Sequence, residues 1–196
     1  MTINKQKKFI ISDLHMSHTN LIARGVRGQF KDCEEHDNTI IENWNKTAAR
    51  GDLTYILGDC CWNRDYSILN KLNGQKIVIK GNHDTKHDLQ RAKSERIIDN
   101  WHYYKGFMHG ENYVFLTHFP MLSWDRAFHG SYCFFGHVHG ILPYAKGRSM
   151  DVSVDAINFT PLLLDSAIEQ LQHRDNRYFY NSKTGDKLFC IEGTGE

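Results

Sequence analysis

This chain has no apolar run long enough to cross a bilayer, no excess of either charge sign, and no pattern among its cysteines. Each absence removes a class of function. The first eight residues are polar and lead straight into a strand-like segment, so neither a secretory leader nor a membrane anchor is expected, and a cytoplasmic location is. Lys and Arg number 24 against 23 Asp and Glu, a formal charge of +1. No global field therefore draws the protein to nucleic acid or anionic lipid, and an anionic substrate must be attracted by local groups. Cys33, Cys60, Cys61, Cys133 and Cys190 are odd in number and form no CxxC pair, which reads as reduced thiols used in packing. Linkers, repeats and low-complexity tracts are also missing, so the 196 residues, 40% hydrophobic and 24% charged, fit one domain spanning 1–196. What is abundant is histidine, with 12 copies, several of them beside Asp, Asn or Gly.

Those clusters follow strand-like segments. Lys8 to Ser12 is short, apolar and branched, and ends in Asp13-Leu14-His15-Met16-Ser17-His18. Ile40, Ile41, Trp44 and Ala48 fall at helical spacing between Glu35 and Ala49. Leu53 to Leu57 repeats the strand pattern and stops at Gly58-Asp59, with Asp65 placed to cap a short helix through Lys71. Lys76 to Lys80 leads into Gly81-Asn82-His83-Asp84 and a polar helical stretch from Lys86 to Arg96. Tyr113 to Thr117 ends at His118, and Tyr132 to Phe135 ends at Gly136-His137-Val138-His139. A strand over Ser149 to Val154, a helix from Asp165 to Gln172 and a hairpin at about 176–192 complete the pattern. Strands alternating with helices predict a mixed α/β sheet with helices on its faces. In such folds functional groups gather beyond the carboxyl ends of strands, so five clusters at five strand ends are expected to converge.

The convergent groups are metal ligands by chemistry. Asp13, His15, Asp59, Asn82, His118, His137 and His139 offer carboxylate, amide and imidazole donors and no thiolate, which suits divalent Mn, Fe or Zn. Seven donors exceed the needs of one ion. Two ions sharing a carboxylate, most simply Asp59, would lie about 3.5–4 Å apart and clamp phosphoryl oxygens. The bland alternative makes the two aspartates loop caps and the histidines hydrogen-bonded strand ends.

Asp13-x-His15, Gly58-Asp59, Gly81-Asn82-His83-Asp84, His118 and Gly136-His137-x-His139, in that order, resemble the calcineurin-like metallophosphoesterase superfamily. The resemblance implies a four-layer sandwich of two mixed β-sheets flanked by helices. It also implies one metal on Asp13, His15 and His139, a second on Asn82, His118 and His137, and Asp59 between them. His83 is left off the metals, near the phosphate and the leaving oxygen, with Asp84 helping to orient it. The implied reaction is hydrolysis of a phosphate ester by hydroxide formed from a water between the two ions, most simply manganese. His18 and Arg148 are further candidates for contact with the substrate, a solvated surface position being the alternative for each. Trp62, Trp124 and Phe119 are candidates to wall a base or sugar, or else core. Cys60 and Cys61 read as packing residues.

The residues after Gly58-Asp59 are Cys60-Cys61-Trp62-Asn63 rather than the Val-Asp-Arg-Gly of the family's protein phosphatases. With 196 residues, a capping domain like that of the family's recombination nucleases is not expected. The motif spelling looks closer to small bacterial and phage members and to cyclic-nucleotide phosphodiesterases, which implies small phosphodiesters or nucleotides as substrates. A metal-binding scaffold without catalysis, as in a retromer subunit of this fold, and a nuclease acting on nucleic-acid ends are the alternatives.

Overall fold

In a computed structural model describing residues 6–142 and 147–174, nine strands form two mixed sheets. The strands are β1 (Lys8–Ile11), β2 (Leu53–Ile56), β3 (Gln75–Ile79), β4 (Asn100–His102), β5 (Tyr104–His109), β6 (Asn112–Thr117), β7 (Tyr132–Phe135), β8 (Ser149–Asp151) and β9 (Leu162–Leu163). The helices are α1 (Thr19–Ala23), α2 (Cys33–Thr47), α3 (Lys86–Ser94) and α4 (Leu164–Leu171), with 3-10 turns at Tyr66–Lys71 and Ala127–His129. The larger sheet has the order β4-β3-β2-β1-β9, parallel except for β9; the smaller is β5-β6-β7-β8, with β5 antiparallel.

Strand periodicity divides the apolar residues between layers. Phe9, Ile11, Ile56 and Val78 face α2 and α3, where they meet Ile40, Trp44, Leu89 and Ala92. Ile10, Tyr55, Leu57 and Ile79 point the other way, onto Val114, Leu116, Tyr132 and Phe134 of the smaller sheet, and α4 closes this inter-sheet core with Leu164, Ala167, Ile168 and Leu171. Burial on both faces is why β1, β2 and β3 read as unbroken apolar runs. The outer face of the smaller sheet is covered by Trp124 and Ala127, packed on Phe115, Cys133 and Phe135. The expected sandwich is thus present, with a thinner outer layer on that side.

Local signals set the helix starts. The Asp32 carboxylate accepts the Glu35 amide at 2.8 Å, and Glu35 reaches back to the Lys31 amide at 2.7 Å, fixing the entry to α2. Asp65 caps through the Ser67 amide as the sequence suggested, although the element it starts is a 3-10 turn. The hairpin expected at about 176–192 lies outside the described residues.

β1, β2, β3, β6 and β7 all end toward the same edge, and the seam between the sheets is stitched there. The Ser12 amide bonds to Val152 O at 2.8 Å and the Val154 amide to Ser12 O at 2.9 Å. Among the described residues no helix is long and apolar enough to cross a membrane.

Candidate metal centre

The clusters converge at that edge, on backbone that most side chains avoid. Asp13, His15, Asp59, His137 and His139 all have left-handed φ, at 56°, 47°, 53°, 73° and 50°. Each such residue costs on the order of 1–2 kcal/mol. Five among seven expected donors is a concentration of strain that marks a functional site.

Each carboxylate is held by one oxygen and presents the other. Asp13 is fully buried; its Oδ2 accepts the His137 amide at 2.8 Å, and its Oδ1 has no hydrogen-bond partner in the protein. Asp59 Oδ1 accepts the His83 amide at 2.9 Å. Asp59 Oδ2 then lies 3.8 Å from His15 Nε2, 3.6 Å from His118 Nε2 and 3.9 Å from His83 Nε2. His139 Nε2 is 3.6 Å and His15 Nε2 3.9 Å from Asp13 Oδ1. The motif glycines make room for this. A Cβ on Gly81 would run into Asp59 Oδ1, and one on Gly136 into Ser12 Oγ and Asp13 Oδ2.

The imidazoles present lone pairs. His118 Nδ1 donates to Leu57 O at 2.7 Å, so in the neutral ring Nε2 is an acceptor, and it stands 2.8 Å from Asn82 Oδ1. Both atoms face the same space beside Asp59. Burial first, then the positive charge of Arg27 and the neighbouring His139, push the His15 pKa down to about 2, so this ring is neutral. Its Nε2 is buried without a hydrogen-bond partner in the protein, like Asp13 Oδ1. Leaving two buried polar atoms unsatisfied costs about 1–3 kcal/mol each, a penalty that a divalent cation between them removes. Two donor groups are compact enough to hold an ion, Asp13–His15–His139 and Asp13–Asp59–His118. Asp13 is common to both, while Asp59 faces a histidine from each. The residues therefore fit divalent metal binding. His137 and Asn82 are exposed at the rim, with the His137 ring edge-on to His118 at 5.1 Å between centroids.

A buried scaffold behind the donors was not visible in the sequence. Arg27 is fully buried and donates to Asp155 through Nε at 2.9 Å and Nη2 at 2.7 Å, and to the carbonyls of Asp13 at 2.7 Å and Leu14 at 3.1 Å. Asp155 Oδ2 is 2.6 Å from His139 Nδ1, which turns Nε2 toward Asp13. Burial opposes ionisation of Asp155, but hydrogen bonds from His139 and Arg27 hold its pKa down at about 2. On the far side, Arg27 Nη1 meets His36 Nε2 at 2.8 Å, and His36 Nδ1 meets Asp37, whose carboxylate takes the Ser17 amide at 2.9 Å. The strained 13–17 loop is thereby clamped at both ends.

One sequence expectation changes, and two open alternatives are decided. Asp84 does not orient the His83 ring. It is buried and accepts the amides of Asp59, Cys60 and Gly81 and the Tyr66 hydroxyl, so it ties the loops after β2 and β3 together. Arg148 does not reach the centre. It precedes β8, at the opposite edge of the sheet, and donates to the carbonyls of Gly130, Gln172 and Arg174. Trp124 is buried in the outer layer, its Nε1 on Ser131 Oγ at 3.0 Å, and walls no site. His83 and His18 do border the centre, at 5.6 and 5.8 Å between ring centroids from His15. Phe119 stands at its rim against His118 and His137.

No protein-family model matches the chain. It is 30% identical over 181 residues to the "Uncharacterized protein MJ1445" of Methanocaldococcus jannaschii, a match covering 87% of this chain and 94% of that protein. The "Gene 66 protein" of Mycobacterium phage L5 is 26% identical over 177 residues, covering 74% and 84% of the two. Among solved structures, the protein of unknown function AQ665 from Aquifex aeolicus has the same fold, with a TM-score of 0.66 at 23% identity over 85% of this chain and 99% of that one. The chain thus belongs to one family with the M. jannaschii protein, and its five motifs, in order at the ends of β1, β2, β3, β6 and β7 with their donors gathered at one seam, resemble those of the calcineurin-like metallophosphoesterase superfamily.

Proposed function

We propose that this protein hydrolyses phosphate esters at a centre of two divalent cations, most simply Mn²⁺, and that its substrates are small phosphodiesters or nucleotides. The observation that carries the reading is the pair of buried, unpartnered atoms, Asp13 Oδ1 and His15 Nε2, aimed into a cluster of imidazoles and carboxylates. Asp13, His15 and His139 would hold one ion and Asn82, His118 and His137 the other, with Asp59 between. Bound there, the cations would supply Lewis acidity toward the phosphoryl oxygens and would lower the pKa of a bound water.

The protein's own groups provide the rest. Leu57 O and Asp155 fix the tautomers of His118 and His139 so that Nε2 is the donor atom of each. Asp84 keeps the loops carrying Asp59 and His83 in register. The His83 side chain is 42% exposed, with Nε2 3.9 Å from Asp59 Oδ2, a position from which it can hand a proton to the departing ester oxygen. A protein phosphatase role is disfavoured by the sequence after Asp59, and extended duplex DNA by the near-neutral charge.

The test is turnover of a panel of mono- and diesters by the Mn²⁺-loaded protein and by His83→Ala. Small diesters or nucleotides should have the highest kcat/KM. The variant should retain its metal and lose about 10²- to 10⁴-fold on alkyl leaving groups but less on nitrophenyl esters. No metal-dependent turnover on any ester would leave the scaffold reading, and an equal loss across all leaving groups would remove the proton-donor role.

A further inference from the structure

Trp62 takes no part in the reaction as proposed, although it borders the centre. It is a large apolar side chain, 42% exposed, yet firmly held. Its amide bonds to Met16 O at 2.9 Å, and the adjacent bridge between Met16 and Cys61 ties its chain to the loop that carries Asp13 and His15. The indole stacks on the His18 ring with centroids 3.7 Å apart and planes 16° from parallel. His18 is fixed in turn, because its Nδ1 accepts the Leu21 amide at 3.3 Å as the cap of α1. On another side the indole meets the His83 ring at 4.9 Å. A preformed flat aromatic surface thus begins one ring away from Asp59.

An indole locked in place by backbone pairing and a ring behind it, and still open to water, is suited to take a second flat group at little cost in ordering. The spacing indicates which one. In a nucleotide a single sugar separates the base from the phosphate, much as the His83 ring separates Trp62 from Asp59. We infer that the Trp62–His18 stack is the platform for the base of a nucleoside phosphoester, holding the departing nucleoside beside His83 while the phosphate lies over Asp13 and Asp59. This rests on the hydrolytic reading above and specifies its substrate class. Because every base has a π face, the platform should favour nucleosides over alkyl groups with little distinction among bases.

The experiment compares two phosphodiesters that share a methyl group and an alkoxide leaving group, a nucleoside 5′-phosphate methyl ester and ethyl methyl phosphate. Wild-type protein, Trp62→Ala and Trp62→Tyr are assayed with Mn²⁺. The wild type should prefer the nucleoside ester. Trp62→Ala should lose about 5- to 150-fold of that preference, through KM, the range expected for one stacked base. Trp62→Tyr should keep most of it, and any loss on ethyl methyl phosphate should be smaller than the loss on the nucleoside ester. Full preference in Trp62→Ala, or equal loss on both esters, overturns the platform. Calorimetric binding of adenosine 5′-monophosphate to the same Mn²⁺-loaded proteins separates the two readings. If no ester is cleaved but the nucleotide binds in a Trp62-dependent way, the hydrolytic reading fails and the platform stands. If esters are cleaved with no advantage for the nucleoside, the platform alone fails.

Discussion

Replacing Arg27 by Met removes the cation at the heart of the scaffold and keeps most of its volume. Arg27 is completely buried, and the Asp155 side chain it pairs with is 19% exposed. Removing one partner of a buried ion pair costs about 3–5 kcal/mol, and the residual exposure of Asp155 places this case near the lower end. The carbonyls of Asp13 and Leu14 also lose their donors, at about 1 kcal/mol each. Arg27→Met should therefore lower the unfolding free energy of the metal-free protein by about 5 kcal/mol, a large part of the roughly 5–15 kcal/mol typical of a domain. Urea titration at neutral pH measures it. The double variant Arg27→Met/Asp155→Leu leaves no unpaired charge and should recover much of the lost stability, yet its Mn²⁺ affinity should stay about 10- to 100-fold below wild type, because His139 has lost the carboxylate that orients it. A single variant destabilised by less than about 1 kcal/mol, or a double variant no more stable than the single, would refute this account of the network.

Three further outcomes are expected. Asp59→Asn should weaken both ions together in metal analysis after Mn²⁺ loading, and loss of one ion alone would contradict a shared position for Asp59. Gly136→Ala places a methyl group against Asp13 Oδ2 and should reduce Mn²⁺ affinity at least about tenfold, so wild-type affinity in this variant would show that the carboxylate need not be held there. The metal-free protein should lose stability as pH falls below about 6.5: His15 takes up its proton there in the unfolded chain but only near pH 2 in the folded one, so the unfolded state binds more protons across that window. Asp155, also held at about 2, adds a loss below about pH 4, whereas the raised pKa of His139 contributes stability below 6.5 that is lost as pH rises through its folded value. Urea midpoints at pH 7 and 5 should differ in the wild type and much less in His15→Asn; an equal difference in the variant would exclude His15 as its source.

The convergence of the Asp, Asn and His clusters was legible because parallel strands buried on both faces appear as short apolar runs, and each run ends abruptly where a polar cluster begins. β5 was not, since one of its faces is open to solvent and its residues alternate in burial. β9 has only two residues, and α1 buries none of its own. Of the two alternatives for Arg148, contact with the substrate fails for a related reason: it stands before a strand rather than after one, and that reverses the edge it occupies. Asp84 adjoins His83 in sequence, but its carboxylate is claimed by backbone amides that only the folded loops bring near. Asp155 does follow a strand, β8, and the strand-end rule applied once more would have singled it out. Arg27 carried no such signal, because its partner Asp155 is 128 residues away.

The centre lies on the seam between the sheets. Asp13, His15, Asp59 and Asn82 come from the larger sheet, and His118, His137 and His139 from the smaller. During synthesis the first four leave the ribosome well before the last three, so neither the nascent amino-terminal half nor a detached smaller sheet offers a full set of donors. Cations that require ligands from both act as a rivet across the seam. A cation held this way would not be captured tightly by a half-folded chain, and its binding would shift the docking equilibrium toward the joined state by RT ln(1 + [L]/Kd). Metal uptake would therefore report on completion of the fold, adding to the docking of the two sheets that their shared apolar core already provides.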